Sequence, residues 1–179
     1  MAAITVGNDA IDRATYSNIE TSTYIDVNNA ADGNGKITTI EIWAYYDMTG
    51  VKVGLFSGSG TSYTNRNVAS LGSITKGAKR TFSVDLDVVA GDFLGIYVTE
   101  GYIERTSSGE GYYVKSGDQF GTGSQTYALF SDRTISLGGS GSTVSGPIKM
   151  KTFNGLSNLK IKTINGLPVA KWKTINGLT

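Results

Sequence analysis

In the stretch TIEIWAYYD, residues 39–47, alternate side chains of an extended chain point to opposite faces, so Glu41, Trp43, Tyr45 and Asp47 fall together. Aromatic faces stack on the C–H patches of a pyranose ring while carboxylates accept hydrogen bonds from its hydroxyls. This combination therefore has the chemistry of a glycan-binding surface. The same residue types also suit a buried subunit interface, where Trp and Tyr are enriched. A second concentration of oxygen atoms lies in DVNNAADGNGK, where Asp26, Asn28, Asn29, Asp32 and Asn34 offer the groups that Ca²⁺ accepts. Their spacing does not follow the EF-hand loop, and turn chemistry explains the same residues with fewer demands.

Catalytic chemistry has little to build on. The sequence holds no cysteine and no histidine, which removes disulfides, thiolate nucleophiles, Cys/His zinc sites and the Ser-His-Asp triad. Two carboxylate pairs, Glu104 with Glu110 and Asp85 with Asp87, have the residue type of a glycosidase. Asp85 and Asp87 share the outward face of one strand, and no feature of the sequence singles out either pair. The expectation is a protein that is not an enzyme and carries no cofactor.

The elements that must position these side chains are strands. Gly is abundant, at 24 of 179 residues, and charged residues make up only 17%. Strand-like runs at 21–27, 36–47, 51–56, 81–89 and 93–100, with weaker ones at 111–116 and 126–130, alternate with ADGNG, SGSGTS, TKGAK, AGD, SSGEG and GTGS. Those breaks are turn sequences. Such a cadence without intervening helices predicts an all-β protein, an antiparallel β-sandwich of jelly-roll-like form. Ile40, Ile42, Ala44 and Tyr46 are expected on the core face of one strand. Phe82, Val84, Leu86 and Val88 are expected on that of another.

The final residues, KTFNGLSNLKIKTINGLPVAKWKTINGLT, repeat one phrase with Asn-Gly in the same place. Asn-Gly is the strongest short-range hairpin signal, because a type I′ turn needs positive φ at both central residues. Two-residue loops at 154–155 and 165–166 put Ile164 opposite Leu167 and Thr163 opposite Pro168. Pro168 then sits at a non-hydrogen-bonded position, where its missing N–H costs nothing within the hairpin. Counting outward gathers Ile148, Met150, Leu159, Ile161, Ala170 and Trp172 on one face and all six lysines of this region on the other. A three-stranded meander accommodates this better than a β-solenoid of 11-residue coils, which would stack two columns of like charges. Ordering about 30 residues costs more than six buried side chains and their ladder bonds return. The oily face must therefore dock on the body, a sister subunit or another protein.

Charge divides along the chain in the same way. All fifteen acids and ten of the sixteen bases precede Ile148, whereas residues 148–179 hold six lysines and no acid. The lysine face lacks arginine, and edge lysines commonly block unwanted strand pairing, so nucleic acid is not an expected partner. The expected organisation is a sandwich body at 1–136, a flexible Gly/Ser linker at 137–147 and a docking meander at 148–179. No signal peptide or membrane-length apolar run is expected to direct the protein to a membrane.

The order ADGNGKITTIEIWA, VKVGLFSGSG, LGSITKGAKRTFSVDLDVVAGDFLGIYV resembles a β-sandwich domain of phage, prophage and environmental viral proteins. The closing KTxNGL phrases resemble the repeated C-terminal ends of phage virion and tail-associated proteins. The resemblance implies a virion structural protein, a capsid decoration or tail/fibre component, whose partners are other virion proteins or copies of itself. A carbohydrate-binding attachment module is the alternative expectation.

Overall fold

The computed structural model describes residues 1–143 and, beyond them, the backbone of four two-residue strands. The chain divides into two units, Met1–Val144 and Ser145–Thr179. The first unit begins with β1 (Ala3–Gly7), β2 (Thr15–Asn18), β3 (Ser22–Asp26), β4 (Gly35–Trp43) and β5 (Met48–Ser59). It continues with β6 (Ser62–Asn65), β7 (Ala69–Ile74), β8 (Lys79–Val88), β9 (Phe93–Tyr97) and β10 (Tyr102–Thr106). Next come β11 (Tyr112–Ser116), β12 (Gln125–Thr126), β13 (Ala128–Phe130), β14 (Thr134–Ile135) and β15 (Leu137–Ser142). Among the described residues the ladders joining these strands are antiparallel, as an all-β sandwich requires.

Two sheets enclose the main core. One has the order β1-β15-β4-β8, and the other runs β12-β6-β5-β9-β3-β11-β13 with β7 added to β5. Alternation decides what each strand contributes: Ile37, Ile40 and Ile42 of β4, Leu86 and Val88 of β8, and Val6 of β1 meet Val53, Leu55, Leu94 and Ile96 from the larger sheet. A small sheet, β14-β10-β2, adds Ile103 and Ile135 to the same core.

The larger sheet is buried on its second face as well. Ile25, Phe56, Tyr63 and Tyr127 pack there with Phe93, Tyr113 and Phe120. Its terminal strands, β12 and β13, are separated in sequence only by Tyr127, so the sheet curls until its two ends nearly meet around this aromatic filling. The burial of Tyr63 and Tyr127 pushes both phenols up to about 12.

Several sequence expectations hold in detail and two fail. Ile40, Ile42 and Ala44 are fully buried, but Tyr46 is 47% exposed. The alternation stops because β4 ends at Trp43 and the chain turns a corner: the Tyr45 and Tyr46 N–H groups both donate to the Tyr102 carbonyl, at 2.9 and 3.3 Å. The Gly/Ser run is not a linker over most of its length. Residues 137–142 form β15, which lies between β1 and β4 with Gly139 paired to Val6 on one side and Ile40 on the other. Glycine is needed here by close approach: a Cβ on Gly138 would meet the Asn8 carbonyl, and one on Gly141 the Lys36 carbonyl. The body therefore extends past 136.

In the second unit, β16 (Thr152–Phe153) pairs with β17 (Leu156–Ser157), and β18 (Thr163–Ile164) pairs with β19 (Leu167–Pro168). The registers, Thr163 opposite Pro168 and Ile164 opposite Leu167, are those that two-residue Asn-Gly loops dictate. The docking face proposed from sequence, Ile148, Met150, Leu159, Ile161, Ala170 and Trp172, lies outside the described residues.

Candidate functional site

The richest surface chemistry arises where β2 and β10 run beside the corner that follows β4. The β2–β10 register sets Tyr16 opposite Glu104 and Asn18 opposite Tyr102, which makes Tyr16 and Tyr102 diagonal neighbours on one face. Ser17 and Ile103 on the reverse face are buried. The corner delivers Tyr45 and Tyr46 to the same place through their bonds to the Tyr102 carbonyl.

Four rings consequently form one patch. Tyr16 stacks on Tyr45 at 4.6 Å and on Tyr102 at 5.1 Å between ring centroids. Tyr46 meets Tyr45 and Tyr102 edge-on at 5.0 and 5.2 Å. The Lys76 ammonium caps Tyr46 at 5.1 Å from its centroid. Tyr16 and Tyr46 remain 42% and 47% exposed, a large apolar area to leave wet on packed, mutually ordered rings.

Carboxylates border this patch on one side. Glu20, Asp47 and Glu100 line an open groove with Tyr46, Gly101 and Tyr102. Asp47 Oδ1 accepts from the Lys76 N–H at 2.9 Å and Glu20 Oε1 from the Gly101 N–H at 3.3 Å. These bonds fix both side chains and leave acceptor capacity toward the groove.

Beyond Tyr16 the character of the surface changes. Tyr16, Tyr112, Phe130 and Arg133 line one pocket, and Phe130 and Arg133 continue into a second with Arg105, Ser107, Ser131 and Asp132. Arg133 lies 5.5 Å from the Phe130 centroid and 5.9 Å from that of Tyr112, and its Nη1 donates to the Tyr112 hydroxyl at 3.2 Å.

Of the four residues expected to form a glycan surface, the structure brings Tyr45 and Asp47 to this region. Glu41 and Trp43 stay on the outer face of β4, where Glu41 pairs with Lys79 Nζ at 2.9 Å and Trp43 forms no aromatic pair among the described residues. Tyr16, Tyr102 and Arg105 escaped sequence reasoning because β2 and β10 are too short to show alternation, and Arg133 because it precedes the two-residue β14; Tyr46 is expected from sequence in the core.

The calcium candidate residues separate into different tasks. Asp26 is fully buried and accepts from Asn8 Nδ2 at 2.7 Å, from the Asn28 N–H at 2.9 Å and from Asn28 Nδ2 at 3.2 Å. A carboxylate already surrounded by N–H donors presents no cradle for a cation. Burial pushes its pKa from 3.8 up to about 6 despite those donors. Asp32 instead accepts from the N–H and hydroxyl of Thr5, and Asn34 Oδ1 accepts from the Ala90 N–H. The Asn29 amide donates to Asn8 Oδ1. No group of three acidic side chains suited to a metal occurs among the described residues.

The carboxylate pairs likewise have other partners. Asp85 and Asp87 both hold Lys36 Nζ, at 2.8 and 3.0 Å. Glu104 is buried and accepts from the Arg13 N–H at 3.1 Å, with desolvation holding its pKa above the usual value, whereas Glu110 is exposed. Among the described residues no helix is long and apolar enough to cross a membrane. No protein-family model matches the chain, and no curated protein matches it.

Proposed function

We propose that this protein is a non-enzymatic attachment component whose β-sandwich body binds carbohydrate through the tyrosine patch. The observation that carries this reading is the conjunction of four mutually packed tyrosines with a groove bordered by Glu20, Asp47 and Glu100. Ring faces and edges contact sugar C–H groups, and the carboxylates accept from hydroxyls, whose directionality supplies specificity. The site is built on strand ends and a pinned corner, so little ordering entropy is lost on binding.

A glycan array probed with the full chain tests the assignment. Tyr16→Ala and Tyr46→Ala are each expected to weaken binding about tenfold or more, as central aromatic contacts do. A wild-type protein that retains no glycan on the array overturns it.

The wider setting we propose is a virion, as a capsid decoration or tail/fibre component docked to other virion proteins or to copies of itself. The resemblance of the body and of the KTxNGL phrases to phage proteins supports this. Deleting residues 148–179 is expected to abolish incorporation into particles while leaving glycan binding intact. Incorporation at the wild-type level by the shortened chain would sink the docking role.

A further inference from the structure

We propose that the groove beside Tyr16 binds the acid group of an anionic saccharide, with Arg105 and Arg133 as its charged contacts. The inference rests on the carbohydrate-binding reading and names the class of sugar. Arg105 uses Nε on the Tyr16 carbonyl at 3.1 Å and Nη1 on Ser107 Oγ at 3.0 Å, which holds its guanidinium in place. Arg133 is held by the Tyr112 hydroxyl and lies over two aromatic rings. Among the described residues neither arginine forms an ion pair. The one carboxylate in the groove, Asp132, accepts from Ser131 Oγ at 3.0 Å.

Two ordered guanidinium groups, each with unspent donors, are suited to a planar or tetrahedral oxyanion, because the fork of N–H groups bonds two oxygens at once. Ser107 and Ser131 add hydroxyls, and Phe130, 44% exposed, adds a ring face for the sugar that carries the acid. Phe130 and Arg133 line both pockets, and Tyr16 and Ser17 of the edge strand β2 border one of them, so the arginine groove adjoins the strand that carries the tyrosine patch.

The opposite side of the patch decides between polyanions. Tyr16 and Tyr46 are 6.4 Å apart, and Tyr46 already borders the groove of Glu20, Asp47 and Glu100. A nucleic acid, with a charge at every nucleotide, would run its phosphates past three carboxylates. A saccharide whose acid groups are widely spaced places one on the arginines and neutral hydroxyls on the carboxylates.

Calorimetric titration of the full chain tests this, using a carboxylated oligosaccharide, its methyl ester, a sulfated oligosaccharide of equal length and single-stranded DNA. Wild type is expected to bind the carboxylated or the sulfated form at least about tenfold tighter than the ester, the preferred form identifying the acid. Arg133→Gln and Arg105→Gln are expected to bring acid and ester to equal affinity, whereas Tyr16→Ala weakens charged and uncharged forms alike and keeps their ratio. Equal affinity for acid and ester overturns the acid site and leaves the carbohydrate reading standing. Binding of DNA in preference to every saccharide overturns both, as does a failure to bind any saccharide.

Discussion

Asp26→Ala is expected to lower unfolding free energy by about 2 kcal/mol at about pH 7 and by about 4 kcal/mol at about pH 4. The substitution removes the fully buried acceptor shared by the Asn28 N–H and the half-buried Asn8 and Asn28 amides, leaving Asn8 only the Ile135 carbonyl at 3.3 Å. Each buried donor left without an acceptor costs about 1–3 kcal/mol, reduced here because Asn28 keeps the Gly111 and Arg133 carbonyls. The pH dependence follows from linkage. Folded Asp26 releases its proton at about 6 rather than 3.8, so the folded state binds the proton more tightly than the unfolded chain does. The stability it contributes is full below the unfolded value and is lost as pH rises through about 6. Denaturant midpoints of wild type and variant, compared across that range, give the check: a gap that stays constant with pH removes Asp26 as the titrating group. Because Asn28 links Asp26 to the Arg133 backbone, the same variant is expected to loosen the arginine groove.

Gly141→Ala is expected to destabilise the body by about 3 kcal/mol, at the upper end of the usual cost of overpacking. The added methyl would press on the Lys36 carbonyl and lie 2.8 Å from Ile37 Cα, at the irregularity where β15 shifts register against β4. Backbone cannot rotate away as a side chain can, so β4 must move. Gly123→Ala is the control, since a Cβ there meets nothing within 4 Å, and it is expected to leave the midpoint unchanged. A wild-type midpoint for Gly141→Ala would contradict the placement of residues 137–142 as an inner strand.

That segment also marks where sequence reasoning stops. Half-buried strands announce themselves: β4, β5, β8 and β9 carry the alternations Ile40–Ile42, Val51–Leu55, Leu86–Val88 and Leu94–Ile96 that the core demands. The inner strand β15 gives no such signal, because its place between two close backbones selects for missing side chains, and LGGSGS has the composition of a linker. The candidate surface is half legible. Tyr45 and Asp47 carry aromatic and acidic chemistry in a recognisable pattern, but the alternation that grouped them with Glu41 and Trp43 ends at a corner set by the Tyr102 carbonyl, some sixty residues away in sequence. Tyr16, Tyr102, Arg105 and Arg133 are united only by pairing of short strands, a long-range event with no local periodicity.

The interposition of β15 between β1 and β4 has a consequence for biosynthesis. A nascent chain leaves the ribosome with β1 and β4 already made, yet the strand that joins them, with Gly139 bridging Val6 and Ile40, emerges only some hundred residues later. At about 5–20 residues per second, those two edges wait several seconds for their common neighbour. The four-stranded sheet is therefore completed only when translation of the body is nearly finished, and its unpaired edges stay open to other strands during that interval.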